Sequence, residues 1–185
     1  MASLDKKFVV FEAISFYNAY INLDRINNES GGIRFYIPMV INGAFSIEMS
    51  IKAMLVNNDI VYGKEHNLVV LFKLLPEYIQ TEIWNWVSQK TAEYADEEKR
   101  VSEFVIMSDA FKQWRYAFED QVPAFDARFL SSFANAAIGV MFKLGYNVQI
   151  ISDEYSIDDE VDRMIKENRA YFMSKNMEYI SNRTR

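Results

Sequence analysis

Three prolines and six glycines are spread over 185 residues, so few positions force a helix to stop. Segments with strict strand-like alternation are absent, whereas apolar residues return at helical spacing along most of the chain. An all-α fold follows. Half of the residues are hydrophobic and 15% are aromatic, enough to fill a core at this length. No internal repeat or low-complexity linker divides the chain. The expectation is a single helical domain over residues 1–185, a bundle of about six or seven helices.

The first helix is expected over Leu4 to about Leu23, with Phe8 and Phe11 on one apolar stripe and Val9, Ala13, Phe16 and Tyr20 on the next. Asn27-Asn28-Glu29-Ser30-Gly31-Gly32 is the strongest loop signal. A second helix begins near Pro38, which a first turn tolerates, and runs to Asn57. A short apolar helix spans His66 to Leu75 and ends at Pro76. Further helices are predicted over Glu77 to about Tyr94, from a cap at Ser102 to Phe118, and from Ala124 to Leu144 with Gly145 as its stop. The last covers about 157–183, with acids at its start and bases at its end as the helix dipole favours. Gly145 to Ile151 is the one place where an extended piece is credible.

Several chemistries are excluded at this level. The chain has no cysteine and one histidine, His66, so disulfides, thiolate nucleophiles and zinc-ribbon sites are out, and paired Glu-x-x-His di-iron motifs cannot be built. Gly31-Gly32 lacks the spacing and the Lys-Ser/Thr of a phosphate loop. Glu93-x-x-Asp96 has no Glu-x-x-Glu partner upstream, and the acidic run Asp153 to Asp162 lacks the alternation of a calcium loop. A nucleophile elbow is missing. No metal or cofactor is therefore expected.

The charged N-terminus does not resemble a signal peptide, and no stretch of about 18 apolar residues stands out. The expected setting is the cytoplasm, away from membranes. A net charge of −6 disfavours nonspecific DNA binding, which needs concentrated positive charge.

What remains is a polar constellation. Glu48 and Lys52 stand one turn apart on an apolar helix, where charges are costly unless paired. Arg115 and Glu119 repeat the spacing among Phe111, Trp114, Tyr116 and Phe118, and His66 opens the next predicted helix. One account is structural: two ion pairs and a histidine lock helices together. The other is that Arg115 and His66 face a phosphate or another anion, which arginine recognises bidentately.

The motifs Glu48-x-x-x-Lys52, Gly63-x-x-His66-Asn67-Leu68, Leu71-x-x-x-Leu75 and Trp114-Arg115-Tyr116-x-x-Glu119 occur in an order that resembles bacterial HEPN-like proteins (higher eukaryotes and prokaryotes nucleotide-binding). The resemblance covers mainly residues 37–120. It implies an all-α bundle, and a homodimer is expected, with Glu48, Lys52, His66, Arg115, Tyr116 and Glu119 as the expected binding pocket or polar network. Many members resemble metal-independent ribonucleases that use an Arg-x4-6-His motif, because a histidine moves protons in both directions near neutral pH. Here Asp120, Gln121 and Val122 occupy the matching offsets after Arg115.

The broken motif leads to the expectation of a noncatalytic module that binds RNA, a nucleotide or a partner protein in a bacterial defence or toxin–antitoxin type system. The alternatives are an atypical endoribonuclease using Arg115 and His66, and a purely structural interaction bundle. Trp84, Trp86, Trp114, Tyr116 and Phe118 suit either a base-stacking platform or a core. Lys166, Arg169, Lys175, Arg183 and Arg185 suit either a grip on RNA or a partner, or a solvated helix face.

Overall fold

A computed structural model describes residues 6–31, 34–114, 126–146, 163, 165–167 and 169–183. Among these the chain forms α1 (Lys6–Glu29), α2 (Tyr36–Asn57), α3 (Leu68–Leu74), α4 (Glu77–Lys90), a 3-10 turn (Ala92–Ala95), α5 (Glu97–Trp114), α6 (Ala127–Lys143) and α7 (Arg169–Arg183), with no strand. The all-α expectation holds. Gly145 to Ile151 falls mostly outside the described residues.

Helix α2 is the hub. It lies along α1, packs on α6 and touches α3 and α5, while α6 also packs against α4. Thirteen of its residues are buried, from Met39 to Leu55. This helix of 22 residues, with a stretch of 18 at mean hydropathy 1.4, is long and apolar enough to cross a membrane, which amends the sequence expectation, yet 72% of that stretch is buried inside the protein. Its apolar character is that of a core helix surrounded by others.

Boundaries differ from expectation for identifiable reasons. Helix α1 continues past Leu23 to Glu29, through the predicted loop signal. Asn27 turns inward, 4% exposed, and its Oδ1 accepts the Phe35 backbone N–H at 3.3 Å, so an apparent loop residue ties α1 to the entry of α2. Val9, Val10, Ala13, Ile14, Tyr17 and Tyr20 face the core, whereas Phe8 and Phe11 are exposed. Helix α5 starts at Glu97 rather than Ser102, because Asp96 Oδ1 accepts the Lys99 N–H at 2.8 Å and caps it. The charged stretch is therefore a first helical turn. Helix α4 stops at Lys90, and Tyr94 belongs to the 3-10 turn. Helix α6 starts at Ala127, with Asp126 as its cap.

An aromatic knot joins α3, α4, α5 and α6. Phe104 and Phe133 stack at 4.5 Å, and Trp84 meets both edge-on at 5.7 and 5.4 Å. Phe72 closes the group against Trp84 at 5.1 Å. Such contacts add about 0.5–1.5 kcal/mol per pair beyond burial. Trp86 sits beside this knot over Gly139, where an added Cβ would lie 2.1 Å from a ring carbon. Only a residue without a side chain lets α4 approach α6 so closely. Beyond α6, Gly145 adopts φ +86°, a left-handed stop after the helix.

Helix α7 is anchored largely by polar contacts. The Tyr78 hydroxyl donates to Asn176 Oδ1 at 2.7 Å, and Asn176 Nδ2 donates to the Tyr146 hydroxyl at 2.6 Å. Asn58 Nδ2 donates to the same hydroxyl at 3.3 Å. Burial raises the Tyr78 phenol above its ordinary pKa. Phe172 covers Lys143, whose Nζ lies 5.1 Å from its ring and 2.5 Å from Glu82 Oε1.

Two predictions follow from this packing. Gly139→Ala should destabilise the protein by about 1–3 kcal/mol in chemical denaturation, because the Trp86 ring must move. Hydrogen bonds from Arg128 and then Tyr94, against the opposing effect of burial, hold the Asp126 carboxyl down at about 2. A depressed folded-state pKa contributes stability that is complete above the ordinary carboxylate value of 3.8 and is lost as pH falls through about 2. Asp126→Asn should therefore lower stability at neutral pH and flatten its decline between about pH 4 and 2.

Candidate functional site

The site begins on α2. Glu48 and Lys52 project from successive turns, with side chains only 1% and 7% exposed, and Lys52 Nζ donates to Glu48 Oε1 at 2.6 Å. The predicted pair exists and is buried. In a low-dielectric interior either charge alone would be strongly unfavourable. Tyr62 flanks the pair, its ring centroid 5.3 Å from Lys52 Nζ. Burial, reinforced by the Glu48 charge, raises the Tyr62 hydroxyl above its ordinary pKa.

Residues 58–67 carry the chain from α2 to α3. Two residues take positive φ, Asp59 at 55° and Gly63 at 63°, which turn the loop back toward α2. Glu65 then clamps it: one carboxylate oxygen accepts the backbone N–H groups of His66 at 2.8 Å and Asn67 at 2.6 Å. Asn67 caps α3 by accepting the Val70 N–H at 3.1 Å, and Ser108 of α5 donates to the same oxygen at 3.4 Å. The imidazole of His66 is thereby laid over α2, with Nδ1 2.8 Å from Glu48 Oε1.

His66 differs from the expected helix start. It lies before α3, whose first residue is Leu68 and whose cap is Asn67. Its side chain is also 52% exposed, so it closes the outer end of a buried ion pair and belongs to the surface. Asparagine is a favoured cap residue, and that preference was the available clue. Glu65 and Tyr62 were missed as site residues, because a carboxylate that binds backbone amides leaves no periodic signal.

Arg115, Tyr116 and Glu119 lie outside the described residues. Phe111 of α5 meets Phe45 of α2 edge-on at 5.1 Å, which places the last turns of α5 beside the turn of α2 that precedes Glu48. Trp86 belongs to the core, 3% exposed, and Trp84 is partly buried and packed against that core. A second pair, buried Lys143 with partly buried Glu82, was not anticipated. Its partners are 61 residues apart, beyond any local spacing rule.

Glu48→Ala tests the architecture directly. It should destabilise the fold by about 3–5 kcal/mol by leaving Lys52 buried and unpaired, whereas His66→Ala at the rim should cost at most about 1–3 kcal/mol. Adding Lys52→Met to Glu48→Ala should recover most of the loss in urea denaturation.

No curated protein and no solved structure gives a significant match to the chain. A family model described as HEPN domain matches residues 31–129, a span that contains Glu48, Lys52 and His66 together with the helices that hold them. That span is more than half of the 185 residues, and the chain therefore belongs to the HEPN domain family.

Proposed function

We propose that this HEPN protein is a noncatalytic binding module for RNA or a nucleotide, with His66 as the contact residue and Glu48 and Lys52 as its support. One observation carries the reading: a half-exposed imidazole is held at 2.8 Å by a carboxylate that is itself 1% exposed. A residue serving packing alone has no need of such an oriented ring at the surface. Lys52 is buried and paired, so it steadies Glu48 instead of meeting a ligand. Family membership points to nucleotide or RNA chemistry.

The noncatalytic assignment is supported by sequence order. Cleavage by the family's ribonucleases uses an Arg-x4-6-His motif, and here Asp120, Gln121 and Val122 stand at the histidine offsets after Arg115. A homodimer in the cytoplasm, working within a bacterial defence or toxin–antitoxin type system, completes this reading on the strength of the family alone. The acidic net charge of −6 favours a local, selective contact over general attraction to phosphate.

A second reading is favoured by the same hydrogen bond. A carboxylate that fixes Nδ1 leaves an imidazole oriented for proton transfer, so His66 with Arg115 is the pair an atypical endoribonuclease would use. The experiment is to incubate purified protein and His66→Ala with structured and single-stranded RNA in EDTA. Expected are intact RNA and binding that weakens roughly tenfold in the variant. Metal-independent cleavage that disappears in the variant would replace the binding module by the enzyme. Absence of both binding and cleavage would leave a structural interaction bundle.

A further inference from the structure

We infer that His66 meets its ligand as a hydrogen-bond acceptor through Nε2, so the group recognised there is an uncharged O–H or N–H donor rather than a phosphate oxygen. The inference rests on the reading of this site as an RNA or nucleotide pocket and specifies which part of that ligand the histidine reads.

The argument starts from proton placement. Glu48 Oε1 lies 2.6 Å from Lys52 Nζ and 2.8 Å from His66 Nδ1. Paired with the Lys52 ammonium, the carboxylate acts as an acceptor. Two lone pairs facing each other at 2.8 Å would repel, so a proton stands between Nδ1 and Oε1 and belongs to Nδ1. The contact of 3.5 Å between Lys52 Nζ and Nδ1 is too long to compete.

In a neutral imidazole with the proton on Nδ1 the other nitrogen carries the lone pair. No partner among the described residues meets Nε2, and the side chain is 52% exposed. Lys52, the cation that touches Nδ1, is 7% exposed and committed to Glu48. At Nε2 the described part of the site thus offers a ligand an acceptor. Phosphate oxygens are acceptors too and find nothing to accept from at Nε2. A ribose hydroxyl or an exocyclic base amine fits.

His66 is the only histidine in the chain, so ¹⁵N-histidine labelling yields one imidazole to observe. At neutral pH and without any ligand, the spectrum should show the proton on Nδ1 and an unprotonated Nε2. A proton on Nε2, whether alone or together with Nδ1, would overturn the inference. That arm needs no RNA, so it can fail or succeed separately from the binding-module reading.

Binding arms use single-stranded oligoadenylate RNA, its 2′-deoxy counterpart and an RNA oligomer of unsubstituted purine, whose base has no N–H. Loss of roughly tenfold on removing the hydroxyl identifies ribose as the donor, and a similar loss in the unsubstituted purine oligomer identifies the base amine. Equal binding of all three would overturn the inference. His66→Gln, which retains an acceptor oxygen, should bind within a few-fold of wild type, whereas His66→Lys, which presents only donors and a charge, should bind roughly tenfold more weakly. Stronger binding by His66→Lys would show that a phosphate sits there and would overturn it.

Discussion

A carboxylate buried in α2, the central helix of the bundle, is the constraint around which the rest is arranged. Glu48 is fully inside, and a lone charge there would cost several kcal/mol. Lys52 supplies the first compensation from the next turn of α2 and His66 the second from the loop that follows. That second partner dictates the path of residues 58–67: the chain must return to α2 before α3 begins. The left-handed Asp59 and Gly63 and the Glu65 clamp are the local means of that return. An interior charge therefore shapes a surface loop.

Packing around this pair combines two strategies. On α6, Ala134, Ala136, Ala137 and Gly139 are all small and buried or closely covered, which lets α2 and α4 approach. On α3, α4 and α5, large rings fill the remaining space through edge and stacked contacts. Small residues on one helix and aromatics on its neighbours give dense packing without strain. The Glu48 and Lys52 side chains are only 1% and 7% exposed.

Much of the fold was legible because it rests on local signals. Scarce glycine and proline, helical periodicity and the four-residue step from Glu48 to Lys52 are all properties of short windows, and the helices and the buried pair follow from them. Misreadings arose where a side chain turned toward the backbone or across the fold. Asn27 looked like a loop residue and serves as a buried tie; Asp96, not Ser102, caps α5; His66 looked like a helix start and stands at the rim. The Lys143–Glu82 pair and the Tyr78–Asn176–Tyr146 chain bring together residues far apart in sequence, which no window can anticipate. Within the site, Glu48 and Lys52 were readable from spacing, while the clamp by Glu65 was not.

The manner in which α7 is held sets its thermodynamic character apart from that of the other helices. Phe172 is its one buried hydrophobic residue among those described, and Asn176, bonded to two tyrosines, is its most buried side chain. Among the described residues, separating α7 from the bundle would uncover chiefly Phe172 and the Tyr78 ring it meets, so the described contacts contribute a small heat-capacity change and a weak dependence on denaturant. The governing event would be the exchange of hydrogen bonds between phenols and an amide for hydrogen bonds to water. Such an opening is a local equilibrium distinct from unfolding of the core, and its visible trace would be the two phenols becoming accessible while the Trp84–Phe104–Phe133 knot stays closed.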